Sequence, residues 1–164
     1  MPEAFEPGDT LDPHPCLVLL AEDNPINQKL AVHLLRQLGC EVDLATNGIE
    51  TLQHWSERPY DVIFMDCQMP HLDGYETTAR IRAAGQRGRD IPIIAITANS
   101  MVGDRERCVA AGMTDYVSKP LHLSDLKRVL EAARRQNPDR STSRSSVLDE
   151  LAQPSKSVVP LLRN

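Results

Sequence analysis

The chain lacks several features that would point to common activities. It has no G-x-x-x-x-G-K-[ST] loop and no G-x-G-x-x-G turn after its first apolar run, so no glycine-rich cradle for a nucleotide is present. Its four cysteines, Cys16, Cys40, Cys67 and Cys108, are far apart and form no C-x-x-C pair, which argues against a zinc site. They read as reduced thiols of a cytosolic domain, with Cys40 and Cys67 in or near the core. No apolar stretch nears the roughly 18 residues that span a bilayer. Met1 to Pro15 is acidic and proline-rich and has no apolar segment of the kind a signal peptide carries. Basic charge is in deficit too. Eighteen Lys and Arg against 23 Asp and Glu leave a net charge of -5, and no basic face argues for direct nucleic-acid binding.

What is present suits one domain with tails. Of 164 residues, 41% are hydrophobic, enough to bury a core. Residues 1–15, with Pro2, Pro7, Pro13 and Pro15, read as a flexible arm or linker. Residues 16–136 read as the folded domain. Residues 137–164 are rich in Ser, Pro and charge and read as a mobile tail, with a short helical turn around 147–152.

Inside the domain, short apolar runs alternate with helical patterns. Cys16 to Ala21 reads as a central strand, followed by Glu22-Asp23-Asn24-Pro25. Asn24 can cap a helix and Pro25 suits its first position. Ile26, Leu30, Leu34, Leu35 and Leu38 are expected on one helical face, and Gly39 stops the helix. Residues 41–45 read as a second strand. Ile49, Leu52 and Trp55 mark a second helix, closed off by Pro59. The run from Asp61 to Asp66 reads as a buried third strand, followed by Met69-Pro70 and Asp73-Gly74. Asp73 is expected to cap a third helix, from about 75 to 84, whose end is blurred by Gly85 and Gly88. A strand over 91–97, a helix over 102–111, a short strand over 115–118 and a helix over 124–136 complete five strand–helix alternations. That pattern predicts an α/β fold, a parallel sheet covered by helices on both sides.

Ligands of such sheets bind at the carboxyl ends of the strands. Glu22 and Asp23 close the first strand and Asp66 closes the third, so three carboxylates are expected in one crevice. Two unit charges about 4 Å apart repel by about 4 kcal/mol at an effective dielectric near 20, so the cluster must hold protons or a cation. Hard oxygen donors with room for water suit Mg²⁺. Thr97 and Lys119 end the fourth and fifth strands at the same edge. A hydroxyl and a compact cation beside a carboxylate are the parts that position a transferring phosphoryl group. Asp66 is the candidate nucleophile. The five histidines, His14, His33, His54, His71 and His122, form no visible cluster and read as surface or satisfied side chains. Arg105 and Arg107 read as solvated residues or part of a partner face.

Glu22-Asp23, Met65-Asp66 with Met69-Pro70 and Asp73-Gly74, Thr97-Ala98 and Lys119-Pro120, in that order, resemble the receiver domain of two-component response regulators. The resemblance covers about residues 16–135. Ala21-Glu22-Asp23-Asn24-Pro25-Ile26-Asn27-Gln28 and Phe64-Met65-Asp66-Cys67-Gln68-Met69-Pro70 look most like receivers fused to hybrid sensor histidine kinases. The resemblance implies a flavodoxin-like doubly wound sheet of five strands in the order 2-1-3-4-5 with five helices. It implies that Asp66 takes a phosphoryl group from a phosphohistidine. It also implies Mg²⁺ held by Asp23, Asp66 and the carbonyl of Gln68, with Glu22 acting through water. Lys119 would pair with the carboxylate, Thr97 would swing toward the phosphoryl group and Tyr116 would turn inward behind it. The face made by the last two helices and the last strand would then change. The Lys119-Pro120 bond is expected to be cis. The Glu-Asp pair stands where many members carry Asp-Asp. Expected partners are a histidine kinase or a histidine phosphotransfer domain, in the cytoplasm, with no membrane contact by this segment. A homodimer is left open. As an isolated domain the chain would catalyse only its own phosphorylation and dephosphorylation. The alternatives are a stand-alone response regulator and an aspartate-nucleophile phosphatase. The latter is disfavoured because Gln68 stands where such enzymes carry a second Asp.

Overall fold

The structure, a computed structural model, describes residues 15–98 and 102–136. The arm before Pro15, including His14, and the tail over 137–164 with its expected helical turn lie outside the described residues. Five parallel strands form one sheet: β1 (Cys16–Ala21), β2 (Cys40–Ala45), β3 (Val62–Asp66), β4 (Ile93–Thr97) and β5 (Asp115–Ser118). Their order is β2-β1-β3-β4-β5, as the resemblance implies. The helices among the described residues are α1 (Pro25–Gln37), α2 (Gly48–Glu57), α3 (Gly74–Arg82), α4 (Gln86–Asp90), α5 (Val102–Ala111) and α6 (Leu123–Gln136).

The two faces of the sheet are read directly from strand alternation. Val18, Leu20, Val62, Phe64, Ile94 and Ile96 point to one side and pack with α1 and α6 through Ala31, Leu35, Leu126 and Val129. Leu19, Ile63, Met65, Ile93 and Ala95 point to the other and pack with α2, α3 and α5 through Leu52, Trp55, Ile81 and Cys108. Because β1, β3 and β4 are covered on both faces, they are apolar at nearly every position.

Two expectations need correction. The sequence pattern gave five helices, whereas a sixth, short α4 fills the Gly85–Gly88 region. Arg82 of α3 ties down this region by donating from Nη1 to the carbonyls of Gly88, at 2.9 Å, and Arg89, at 3.2 Å. A short helix held by side-chain bonds to its backbone leaves no apolar period to read. The apolar face of α1 is also rotated from the expected one. Ala31 and Leu35 are buried, Leu34 and Leu38 are partly buried, while Leu30 is exposed and Ile26 is 77% exposed. Each i+4 step on a helix of 3.6 residues per turn drifts by about 40°, so the row 26-30-34 starts on the solvent side and reaches the edge of the core only at Leu34. Ile49 on α2 is exposed too, and Leu52 and Trp55 carry the packing there.

Local signals set the helix starts. Asn24 Oδ1 accepts from the backbone N–H of Ile26 and Asn27, with Pro25 in the first turn. Asp73 Oδ1 accepts from the Glu76 N–H at 2.8 Å, as expected of a cap. Gly39 ends α1 at φ +81°, a left-handed conformation that other residues rarely adopt.

Candidate functional site

The carboxyl ends of β1, β3, β4 and β5 lie side by side, and the loops that leave them carry the expected residues to one place. Glu22, Asp23 and Asp66 each offer a carboxylate oxygen, and these oxygens lie within 4.8 Å of one another. Glu22 is 1% exposed and Asp66 3%, whereas Asp23 is exposed. Lys119 reaches across from the end of β5. Its Nζ lies 3.2 Å from Asp66 Oδ2 and 3.4 Å from Glu22 Oε2. The backbone N–H of Lys119 donates to the Thr97 carbonyl at 2.8 Å, which fixes the β5 end against the β4 end. The following Lys119-Pro120 bond is cis, as expected.

The register explains the convergence. Ala21 pairs with Met65 and Asp66 with Ile96, so the chain leaves β1, β3 and β4 at one level. The loop after β3 is held close. The Gln68 N–H donates to Asp66 Oδ1 at 3.0 Å, and the Gly74 N–H donates to the Cys67 carbonyl at 3.2 Å. Glycine is required at 74 by this approach, because a Cβ there would sit 2.2 Å from the Asp66 carbonyl oxygen. Sequence reasoning placed Gly74 at a helix start and in the receiver motif, without this close approach.

The electrostatics follow from burial and crowding. Burial pushes the Glu22 carboxyl up to about 7, and the charge of Asp66 adds to the rise. The Asn24 N–H and the Lys119 ammonium act in the opposite direction without cancelling it. For Lys119, burial favours the neutral amine, but the carboxylates of Asp66 and Glu22 outweigh it and hold the pKa above its ordinary value. Each ionised carboxylate pair at up to 4.8 Å repels by at least about 3.5 kcal/mol at an effective dielectric near 20. One lysine faces three carboxylates, so the cluster is short of positive charge.

This donor set fits Mg²⁺. It offers hard oxygens, of which two are buried and one is open to water, and it leaves room for the metal's own waters. Thr97 adds a second sign of an incomplete site. Its Oγ1 is buried and has no hydrogen-bond partner. Buried hydroxyls are ordinarily paired, and among the described residues only the Thr78 hydroxyl shares this state. Thr97, Asp23 and Gln68 line a cleft of about 550 Å³ together with Tyr75 and Arg107.

Residues 18–131 match the model of the response regulator receiver domain. The chain belongs to this family. The receiver is 41% identical, over 128 residues, to hybrid signal transduction histidine kinase K of Dictyostelium discoideum. That match covers 74% of the chain and 11% of the kinase. The chain spans only between 3% and 17% of the length of this kinase and of seven other curated relatives. Among solved structures it is similar to the receiver domain of sensor histidine kinase PA1611 from Pseudomonas aeruginosa, which carries a magnesium ion in its active-site cleft. The identity there is 45% and the TM-score 0.67, covering 75% of this chain and 98% of that one. It is also similar to the receiver domain of Ssk1 from Saccharomyces cerevisiae, solved with the histidine phosphotransfer protein Ypd1. The identity is 30% and the TM-score 0.66, covering 77% and 92% of the two chains.

All the carboxylates singled out from the sequence, with Lys119, Thr97 and Gln68, thus lie around one point. Tyr116 on β5 is half-buried, with the Arg105 guanidinium 5.6 Å from its ring centre. Arg107 stacks on Tyr75, at 4.3 Å from the ring centre, a contact that sequence reasoning missed. The two are 32 positions apart and on different helices, so no spacing rule links them. Cys67 and Cys108 meet in the core below, with their sulfurs 4.0 Å apart, and burial raises the Cys67 thiol to about 12. None of the described helices is long and apolar enough to cross a membrane.

Proposed function

We propose that the receiver is the phosphoacceptor of a two-component phosphorelay, with Asp66 as the residue that is phosphorylated. The observation that carries this is the contact of Asp66 with Lys119 inside a cluster of three carboxylates, beside a buried, unpartnered threonine hydroxyl. An Asp66 carboxylate oxygen attacks the phosphorus of a phosphohistidine. The new O–P bond forms as the P–N bond breaks, and the imidazole leaves with the electron pair and takes up a proton. Asp23, Asp66 and the Gln68 carbonyl would hold Mg²⁺, with Glu22 acting through water, and the bound ion would supply positive charge to offset the phosphoryl oxygens. Lys119 moves its ion pair from the carboxylate to a phosphoryl oxygen. Thr97 donates its free hydroxyl to another, and Tyr116 turns inward behind it. The face of α5, β5 and α6 carries the change to a partner.

The donor proposed is a histidine phosphotransfer domain or a histidine kinase. Ile26, exposed in the first turn of α1 just after the acidic loop, gives such a helical partner an apolar contact beside the site. Similarity to hybrid kinases favours a receiver of that type over a stand-alone regulator. A cytoplasmic location is proposed, in keeping with the buried thiols of Cys40, Cys67 and Cys108, none of which is in a disulfide.

The test is labelling by acetyl phosphate with and without Mg²⁺, read by intact mass. Labelling is expected only with the metal, and none in Asp66→Asn. Labelling that survives this substitution would place the acceptor elsewhere.

A further inference from the structure

The cleft beside Asp66 has an unbalanced wall. Asp23, Asp73 and Asp104 all line it, and the chain as a whole carries a charge of -5. A phosphoryl donor is an anion and meets these carboxylates on its way in. Lys119 is already engaged by Asp66 and Glu22. The one cationic side chain among the cleft's lining residues is Arg107, on α5. It is exposed, and among the described residues it forms no ion pair with a carboxylate. Its guanidinium rests instead on the Tyr75 ring, at 4.3 Å from the centre.

We propose that Arg107 is a donor-reading residue of this receiver: its guanidinium leaves the Tyr75 ring to pair with the phosphoryl oxygens of the incoming donor at the mouth of the cleft. This rests on the reading of Asp66 as phosphoacceptor. A guanidinium presents a planar fork of N–H groups that matches two phosphoryl oxygens at once. An exposed cation–π contact is weaker than a charge-assisted hydrogen bond to such a group, so the exchange runs toward the donor. Tyr75 keeps the arginine over the cleft when no donor is present, which lowers the entropy lost on binding. The phosphoryl group is common to small acyl phosphates and to phosphorus–nitrogen donors that resemble phosphohistidine, and Arg107 reads that shared part.

The experiment uses the full chain with saturating Mg²⁺. Labelling rates are measured against donor concentration, with acetyl phosphate and with phosphoramidate, for the natural chain and for Arg107→Ala, Arg107→Lys and Arg107→Glu. At sub-saturating donor, Arg107→Ala is expected to slow labelling about fivefold with both donors, the upper range for an exposed charged contact. Arg107→Glu is expected to be slower still, and Arg107→Lys to recover part of the rate, because it keeps the charge and loses the fork. The gap between Ala and the natural residue is expected to close in molar salt, where screening acts within about 3 Å. Equal rates for Ala and the natural residue overturn the proposal. So does a Lys variant as slow as Ala, which would make the stacking itself the cause, and so does a loss confined to one donor. A natural chain that neither donor labels would sink the phosphoacceptor reading along with this one, whereas every other negative result leaves that reading standing.

Discussion

Glu22 is a buried carboxyl held up to about 7 by burial and by Asp66, and this makes a specific demand on stability. Moving a carboxyl from its ordinary 4.5 to about 7 corresponds to about 3 kcal/mol between its two protonation states. The sign follows from proton binding. Between these two values the folded chain keeps the proton on Glu22 while the unfolded chain has lost it. Stability therefore falls as pH rises through that window, and the loss is complete above 7. Glu22→Gln removes the titration and keeps an acceptor for the Asn24 N–H, which donates to Glu22 Oε1 at 3.2 Å. The assay is urea unfolding from pH 4 to 8.5 with chelator present. The variant is expected to match the natural chain near pH 4 and to exceed it at pH 8 by up to about 3 kcal/mol. The difference between the two chains isolates Glu22 from every other titrating group. Saturating Mg²⁺ should flatten the natural chain's slope, because a cation at the cluster favours the ionised carboxylate. A stability difference that stays constant across the window would refute the reasoning about burial and crowding at this site.

Three other outcomes are expected. Lys119→Ala leaves Asp66 and Glu22 without their shared counter-charge. It should destabilise the metal-free chain by about 2 kcal/mol at pH 8 and by less at pH 5, where Glu22 holds a proton, as unfolding curves at the two pH values would show. Thr97→Val replaces a buried hydroxyl that has no partner, so thermal unfolding should change by less than about 1 kcal/mol in either direction. The same variant should alter the lifetime of the phosphoryl group, followed by loss of the mass label. Gly74→Ala places a methyl 2.2 Å from the Asp66 carbonyl oxygen. It should destabilise by about 2 kcal/mol or more in denaturant titrations, and should slow labelling by shifting the Asp66 backbone.

Most of the sheet was legible in the sequence because β1, β3 and β4 are buried on both faces and so are written as unbroken apolar runs. The caps Asn24 and Asp73 were legible because capping depends on residues a few positions away. Glu22, Asp23, Asp66, Thr97 and Lys119 could be singled out because they follow or end β1, β3, β4 and β5. A parallel sheet brings such positions to one edge.

Other features belong to the tertiary structure alone. The buried side of α1 is set by where the helix lies on the sheet, and local periodicity misplaced Ile26 and Leu30. The raised pKa of Glu22 needs its burial and the closeness of Asp66, 44 positions along the chain, which no spacing encodes. The stacking of Arg107 on Tyr75 and the tight approach of Gly74 to Asp66 join elements that are neighbours only after folding. Strand identity and strand-end chemistry are local and repeat with the backbone's own period, so the sequence determines them. Charge balance and packing depend on distances between segments far apart along the chain, so only the folded structure decides them.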